Sequence, residues 1–290
     1  MMDVSKAPDF LSLFPEQRFQ RRAFLVTSIG AGFALAVQPV SAQTITTDAS
    51  GLVAGEVKVP VKDGQMPAYR ALPATGGPFP TVLVVHEAWA VHEHIQDICR
   101  RLAKAGYYAI APDLFARYGD ASKMETAAIV QTVFPKIVAA QVDSDLDACV
   151  AFAQASGKAD TEKLAIAGFC WGGRVVWQYA GYNRKLRTGV AWYGHLSQKL
   201  GPDAKSALEL APELTVPVLG LYGGKDQGIP NDQVEKMRAE LKEAGNPSQI
   251  VVYPDADHAF LADYRPSYNK AAAEDGWKRM LAWFKYYGVA

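Results

Sequence analysis

The chain has 290 residues, 49% of them hydrophobic and 21% charged, with 30 Lys and Arg set against 30 Asp and Glu. That is enough apolar mass to bury a full core without a disulfide framework, and the balanced charge supplies no field that would gather nucleic acid or anionic lipid. Nucleic acid is therefore not expected as a partner. The three cysteines, Cys99, Cys149 and Cys170, leave at least one thiol outside any bridge within the chain.

The first element in chain order is Gln20-Arg21-Arg22-Ala23-Phe24-Leu25, a twin-arginine signature. An apolar run from Phe24 to Val37 follows, and then Val40-Ser41-Ala42, which has the small-x-small form of a signal-peptidase site. Residues 1–42 read as a leader handed to the twin-arginine translocase and cleaved after Ala42. The run is shorter than the roughly 20 apolar residues of a membrane span, and Thr27, Ser28, Gly30 and Gly32 interrupt it, so no stable membrane anchor is expected. Twin-arginine export carries folded proteins, which places the mature chain in the periplasm or outside a bacterial cell. Residues 43–54 read as a flexible mature N-terminus and 55–290 as a single domain that works as a monomer.

Within that domain, Glu56 to Pro60 and Ala68 to Leu72 alternate polar and apolar residues and predict a leading antiparallel pair. Thr81 to His86 (TVLVVH) is the continuous apolar run of a central parallel strand. An amphipathic helix from Ile95 to Ala105 precedes a strand from Tyr107 to Ala111. A helix from Ile137 to Ser156, a short strand from Leu164 to Ala167 and a helix from Gly172 to Tyr182 continue the rhythm. Strands follow at Gly189 to Tyr193, Pro217 to Tyr222 and Gln249 to Tyr253, with a helix around Gln233 to Ala244 and a last helix from Pro266 to Tyr287. The stretch from Gly194 to Thr215 reads as a loop with a small helix. Strands alternating with helices of this length predict a mostly parallel sheet with helices on both faces, an α/β fold.

Gly168-Phe169-Cys170-Trp171-Gly172-Gly173 lies between a short strand and a helix, and it matches the nucleophile elbow G-x-nucleophile-x-G with Cys in the place of Ser. A sharp strand-to-helix turn needs neighbours without a Cβ, and a helix N-terminus favours an anion such as a thiolate. The α/β-hydrolase order of nucleophile, acid and histidine then selects Asp226, after the strand from Pro217, and His258, after the strand from Gln249. Asp257 is a rival carboxylate. Asp226 is preferred because a residue adjacent to the histidine in sequence usually points away from its ring.

With these stretches, Val85-His86-Glu87-Ala88-Trp89, Ala111-Pro112-Asp113-Leu114-Phe115-Ala116-Arg117 and His258-Ala259-Phe260 complete a set that resembles the dienelactone hydrolases, or carboxymethylenebutenolidases, from about Gly55 to the C-terminus. The resemblance implies the α/β-hydrolase fold and a Cys170–His258–Asp226 triad that opens a small lactone or ester through a thioester, with no metal or organic cofactor. It also implies a role for Glu87 in gating the thiol, and an oxyanion hole from the backbone amides of Trp171 and Ala88. Arg117 would bind a substrate carboxylate. The second carboxylate-binding arginine of the family falls near Ala262 here, and Arg265 is the nearest candidate. The same machinery would serve a general carboxylesterase or thioesterase, and a non-catalytic thiol sensor or binding protein could keep the fold.

Other signals are read as structural. His92-Glu93-His94 lacks the spacing that puts two imidazoles on one helical face, and reads as a solvated loop or first helical turn. Trp89, Trp192, Tyr193 and His195 read as core or rim packing. Cys99 and Cys149 sit in helices that, in the resembled fold, cover opposite faces of the sheet, so they read as small buried hydrophobes without a bridge.

Overall fold

The structure is a computed structural model that describes residues 45–201 and 204–290, so the expected leader and its cleavage site lie outside the described residues. Its centre is an eight-stranded sheet of order β1-β2-β4-β3-β5-β6-β7-β8. β1 (Leu52–Val61) and β2 (Gly64–Pro73) form the expected antiparallel hairpin, and β2 pairs antiparallel with β4 (Tyr108–Pro112). β3 (Phe79–Val85), β5 (Ala159–Phe169), β6 (Thr188–Trp192), β7 (Val218–Gly223) and β8 (Gln249–Tyr253) continue from β4 in parallel.

The helices carry their apolar residues at helical spacing. α1 (Glu93–Lys104) buries Ile95, Ile98, Cys99 and Leu102, one stripe at i, i+3, i+4 and i+7, against the sheet. α2 (Ala139–Ala155) does the same with Val142, Leu146, Cys149 and Ala153. α3 (Trp171–Tyr182), α4 (Asn231–Glu243) and α5 (Lys270–Tyr286) complete the cover. The sheet interior is close to anhydrous: Val82, Leu83, Val84 and Val85 in β3 and Ala165, Ile166 and Ala167 in β5 are all at 0% exposure. Among the described residues, no helix is long and apolar enough to cross a membrane.

β1, β2 and β5 run longer than the sequence reading, β5 over 11 residues where a short strand from Leu164 to Ala167 was expected, and two further boundaries differ for reasons that can be named. The stretch 43–54 was expected to be flexible, yet β1 already begins at Leu52, and residues before it lie along α1. The Thr47 amide donates to Asp97 Oδ1 at 2.5 Å and its carbonyl accepts from Arg100 Nε at 2.8 Å. The polar side of α1 supplies these partners, which local composition does not reveal. The last helix begins at Lys270, not near Pro266, because Asn269 caps it by accepting from the Ala272 amide. The loop after β6 contains the expected small helix, Ala207–Leu210, closed by a Ser206–Glu209 capping box.

This topology fixes where a site can form. The chain leaves β3 toward β4 on one side and later enters β5 on the other, so the strand order reverses there and a crevice opens beyond the C-terminal ends. The stretches 86–92, 170–173, 193–196, 224–229 and 254–265 all issue from those ends.

Candidate active site

Cys170 stands at the junction of β5 and α3 with φ 55° and ψ −113°, an uncommon backbone state for a residue with a Cβ. Its amide donates to the Trp192 carbonyl at 3.0 Å, which ties the turn to the end of β6. The turn is tight enough to require glycine on both sides. A Cβ on Gly168 would stand 2.1 Å from the Gly172 carbonyl oxygen, and one on Gly172 would stand 2.3 Å from the Val85 carbonyl oxygen. The second approach brings the end of β3, and hence the loop that carries Glu87 and Ala88, against the elbow. Trp171 opens α3, so its amide belongs to the first helical turn, where no intrahelical carbonyl is available. Ala88 is fully buried in the facing loop.

Asp226 and His258 meet as the order of motifs predicts. His258 Nδ1 donates to Asp226 Oδ2 at 2.6 Å, while Asp226 Oδ1 accepts from the amides of Gly228 and Ile229 at 2.8 and 3.2 Å. The carboxylate is therefore fixed on both oxygens, and Nε2 is the ring atom left over. Burial pushes the Asp226 carboxyl upward, but the His258 charge and hydrogen bond outweigh it and the pKa is lowered. Burial acts to lower the imidazole, yet Asp226 and then Cys170 outweigh it and hold His258 at about 10. Asp257, the rival, spends Oδ1 on the His258 backbone amide at 3.0 Å.

Glu87 is fully buried near this centre. Its Oε2 accepts from the Tyr264 hydroxyl at 2.7 Å and stands 3.4 Å from His92 Nε2, while Oε1 is buried without a hydrogen bond. Burial favours its neutral form, but His92, His94 and Arg265 together hold the carboxyl at about 2. The preceding His86 is neutral: burial lowers it to about 4, its Nδ1 bonds the Glu87 carbonyl at 2.6 Å, and Nε2 accepts from the Leu114 amide at 3.1 Å. It braces the loop rather than reacting.

The two arginines part company. Arg117 does not stand ready for a substrate carboxylate. Its Nε and Nη2 donate to Asp63 at 2.6 Å each, its Nη1 to Asp145 Oδ2 at 2.6 Å, and Nη2 again to Asp145 Oδ1 at 3.0 Å. It lines an open hollow of about 320 Å³ with Lys62, Tyr118, Val138, Ala140, Gln141 and Ser144, none of them a triad neighbour. The structure thus places Arg117, expected at a substrate carboxylate, on two carboxylates of the protein, with both bidentate edges of its planar fork engaged. Arg265 lies with its guanidinium 5.3 Å over the Trp89 ring and close enough to Glu87 to stabilise its charge, so it belongs to the site.

Several residues read as structural turn out to border the chemistry. The Tyr193 ring, in a backbone with φ 39°, packs 5.1 Å from His258, and its hydroxyl is buried without a partner. His195 stacks 6.1 Å from His258, and its charge helps to lower Asp226. His92 and His94 do occupy a helix start, as expected, but His92 is only partly exposed and His94 is not solvated. His94 is buried beside Asp263, Nδ1 to Oδ1 at 3.4 Å, and Asp263 also takes Arg101 Nη2 at 2.6 Å. Their position after a parallel strand was the available signal. Cys99 and Cys149 are free and fully buried, and burial pushes both thiols far above the usual range. Among the described residues, no group of three or more His, Cys, Asp or Glu side chains could hold a metal ion.

The dienelactone hydrolase family model matches residues 66–288. The chain belongs to the dienelactone hydrolase family. It is 57% identical over 287 residues to a protein of Methylorubrum extorquens AM1 provisionally named a carboxymethylenebutenolidase, covering 97% of this chain and 98% of that one. A protein of Escherichia coli K12 with the same provisional name is 47% identical over 267 residues, covering 91% and 98%. A crystal structure from Klebsiella pneumoniae, provisionally called a dienelactone hydrolase, superposes with a TM-score of 0.78 at 49% identity, covering 81% of this chain and 98% of that one. Membership makes this dienelactone hydrolase-type chain a hydrolase of carboxylic ester bonds on the α/β-hydrolase fold.

Proposed function

We propose that this hydrolase opens a small lactone or ester, one without a carboxylate of its own, through a thioester on Cys170. The observation that carries the reading is the His258 Nδ1–Asp226 Oδ2 bond of 2.6 Å, which commits one ring nitrogen and leaves the other for the thiol on the elbow. The pairing of Arg117 with Asp63 and Asp145 favours a substrate without a carboxylate, because one of the two cations expected to hold such a group is engaged there and the other, Arg265, faces Glu87.

In the reaction, the Cys170 thiol gives its proton to His258 Nε2, and the thiolate adds to the carbonyl carbon while the amides of Trp171 and Ala88 receive the developing oxyanion. The C–O bond breaks, and the departing alkoxide takes the proton from His258 Nε2, which leaves a neutral thioester. Negative sulfur is one of the causes that keep the imidazole protonated, so its loss makes His258 a base at the moment one is needed. His258 then takes a proton from water, the resulting hydroxide attacks the thioester, and the C–S bond breaks to restore the thiolate and release the acid. Throughout, Asp226 holds the ring in one tautomer and offsets its charge. Glu87, an anion beside the thiol, opposes a second negative charge there and so serves as the gate on the resting nucleophile.

The test is hydrolysis of a neutral lactone, a carboxylate-bearing dienelactone and p-nitrophenyl acetate under reducing conditions, with Cys170→Ala as control. Loss of about a thousandfold or more in kcat with Cys170→Ala, at unchanged folding, is expected. Turnover within tenfold of wild type would sink the thioester mechanism. A dienelactone turned over with much higher kcat/KM than the neutral lactone would overturn only the substrate class. Arg21-Arg22 and the small residues before Gln43 support export through the twin-arginine route. N-terminal sequencing of the protein recovered from a periplasmic fraction tests it, with Gln43 the expected first residue.

A further inference from the structure

One buried carboxylate joins the two loops that carry the reacting groups. Glu87 and His92 lie in the loop after β3, and Tyr264 lies in the loop that begins with His258. Tyr264 donates its hydroxyl to Glu87 Oε2 at 2.7 Å, and His92 Nε2 faces the same oxygen at 3.4 Å. The Tyr264 ring packs 5.2 Å from His92, edge to face, and 5.3 Å from His94. Behind them, Asp263 is held by Arg101 at 2.6 Å and stands 3.4 Å from His94, so α1 anchors the segment that contains Tyr264. Both contacts fall on Oε2, and Oε1 remains buried and without a hydrogen bond. The Tyr193 hydroxyl is also buried and unpartnered, and the charges of Glu87, Tyr264 and Cys170 all act on it, so these groups share one small space.

We infer that Tyr264 and His92 are positioning residues for the reaction, which hold Glu87 by Oε2 as an anion and leave Oε1 as the oxygen presented toward Cys170. The inference rests on the reading of Cys170 as nucleophile and Glu87 as its gate, and adds what sets the gate. A donor on Oε2 lowers the basicity of the whole carboxylate, so the resting Glu87 is a poor acceptor for a thiol proton. Movement of the Tyr264 hydroxyl away from Oε2 would strengthen that base. The titratable and charged groups facing Glu87 are His86 and His92 in its own loop, His94 on α1, Tyr193 after β6, and Tyr264 and Arg265 after His258, while Cys170 acts on the same Tyr193 and Tyr264 hydroxyls. His94 and Arg265 remain when Tyr264 is changed, so the expected shift is partial.

The experiment follows Cys170 alkylation by iodoacetamide and p-nitrophenyl acetate hydrolysis from pH 1.5 to 9, a window that contains the Glu87 carboxyl at about 2, in the wild type, Tyr264→Phe, His92→Asn, Glu87→Gln and the Tyr264→Phe/Glu87→Gln double variant. Tyr182→Phe, at the far end of α3, controls for loss of an unrelated tyrosine hydroxyl. Thermal melts establish that each variant is folded. Tyr264→Phe is expected to move the acidic limb of both profiles upward by about one pH unit, because a carboxylate that loses a donor is protonated at higher pH. Because Glu87 is then no longer held with Oε1 toward the thiol, and this loss of position outweighs its gain in basicity, kcat should fall about tenfold with KM within about twofold. His92→Asn should act in the same direction and more weakly, and Tyr264→Phe should do nothing further in the Glu87→Gln background. An unmoved limb in a folded Tyr264→Phe protein, or an equal effect of Tyr264→Phe with and without Glu87, overturns the inference. If Cys170→Ala is inactive while Tyr264→Phe behaves as wild type, only this inference falls; an active Cys170→Ala overturns the reading beneath it.

Discussion

Two buried carboxylates face histidines at the same end of the sheet, after β3 and after β7, and they are built differently. Asp226 has both oxygens engaged and holds His258 at 2.6 Å, with the imidazole raised to about 10. Glu87 has one oxygen engaged, by a tyrosine hydroxyl, and stands 3.4 Å from His92. The first pair is a fixed ion pair with one ring atom free for chemistry. The second is a charge held in place by neutral or distant donors, with one oxygen still unsatisfied. The arrangements match the proposed roles of a fixed orienter and a gate, since a carboxylate with both oxygens engaged is held more firmly than one with an oxygen unsatisfied.

The largest effect that separates the pairs is on turnover. Asp226→Asn keeps the size of the side chain but removes the charge that holds the imidazolium and its tautomer. A loss of about a thousandfold to ten-thousandfold in kcat is expected, with the fold intact. His92→Asn at the other pair should cost about tenfold or less. Steady-state kinetics on one ester, with both variants checked by circular dichroism, would break the comparison if the two losses were of similar size.

The pairs also differ in the direction of their pH dependence. The Glu87 carboxyl lies at about 2 in the folded protein against 4.5 in a free glutamate, so its stabilising contribution is complete above 4.5 and is lost as pH falls toward 2. By linkage that contribution is on the order of 3 kcal/mol. His258 lies at about 10 against 6.5, so its contribution is complete below 6.5 and is lost as pH rises through 10. Denaturant titrations of the wild type should therefore lose stability at both ends. Glu87→Gln should flatten the acid side only and Asp226→Asn chiefly the alkaline side. If either variant flattened both, the two pairs would be energetically one network.

Much of this was legible in the sequence, for reasons that show where reading stops. The elbow could be found because steric need writes glycines at fixed offsets from Cys170, and Asp226 and His258 because each follows an apolar strand in the order the fold imposes. The ion pairs of Arg117 were not legible because its partners, Asp63 in the β1–β2 turn and Asp145 on α2, are 54 and 28 residues away. No local pattern encodes that meeting. Tyr264 was not singled out and His92 was read as solvated for the same reason: only the folded chain brings the loop after β3 against the loop after β8. The N-terminal stretch from residue 45 looked loose because the side chains that hold it belong to α1.

The smallest expected effect on catalysis supplies the control for both pairs. Arg117 joins an exposed carboxylate, Asp63, to a buried one, Asp145, by the same charge chemistry found at the triad, but away from the triad. Arg117→Ala leaves Asp145 buried without its cation. A loss of about 3 kcal/mol or somewhat less is expected, since the arginine is itself partly exposed. Turnover of a neutral ester should remain within about threefold of wild type at a temperature where the variant is folded. Lys should replace Arg117 poorly, because a single ammonium cannot span two carboxylates as the planar fork does. If Arg117→Ala instead raised KM for a carboxylate-bearing lactone at least tenfold while sparing the neutral one, Arg117 would reach substrate after exchanging a carboxylate of the protein for one of the ligand. The contrast between chemical and structural ion pairs would then have to be redrawn around a mobile arginine.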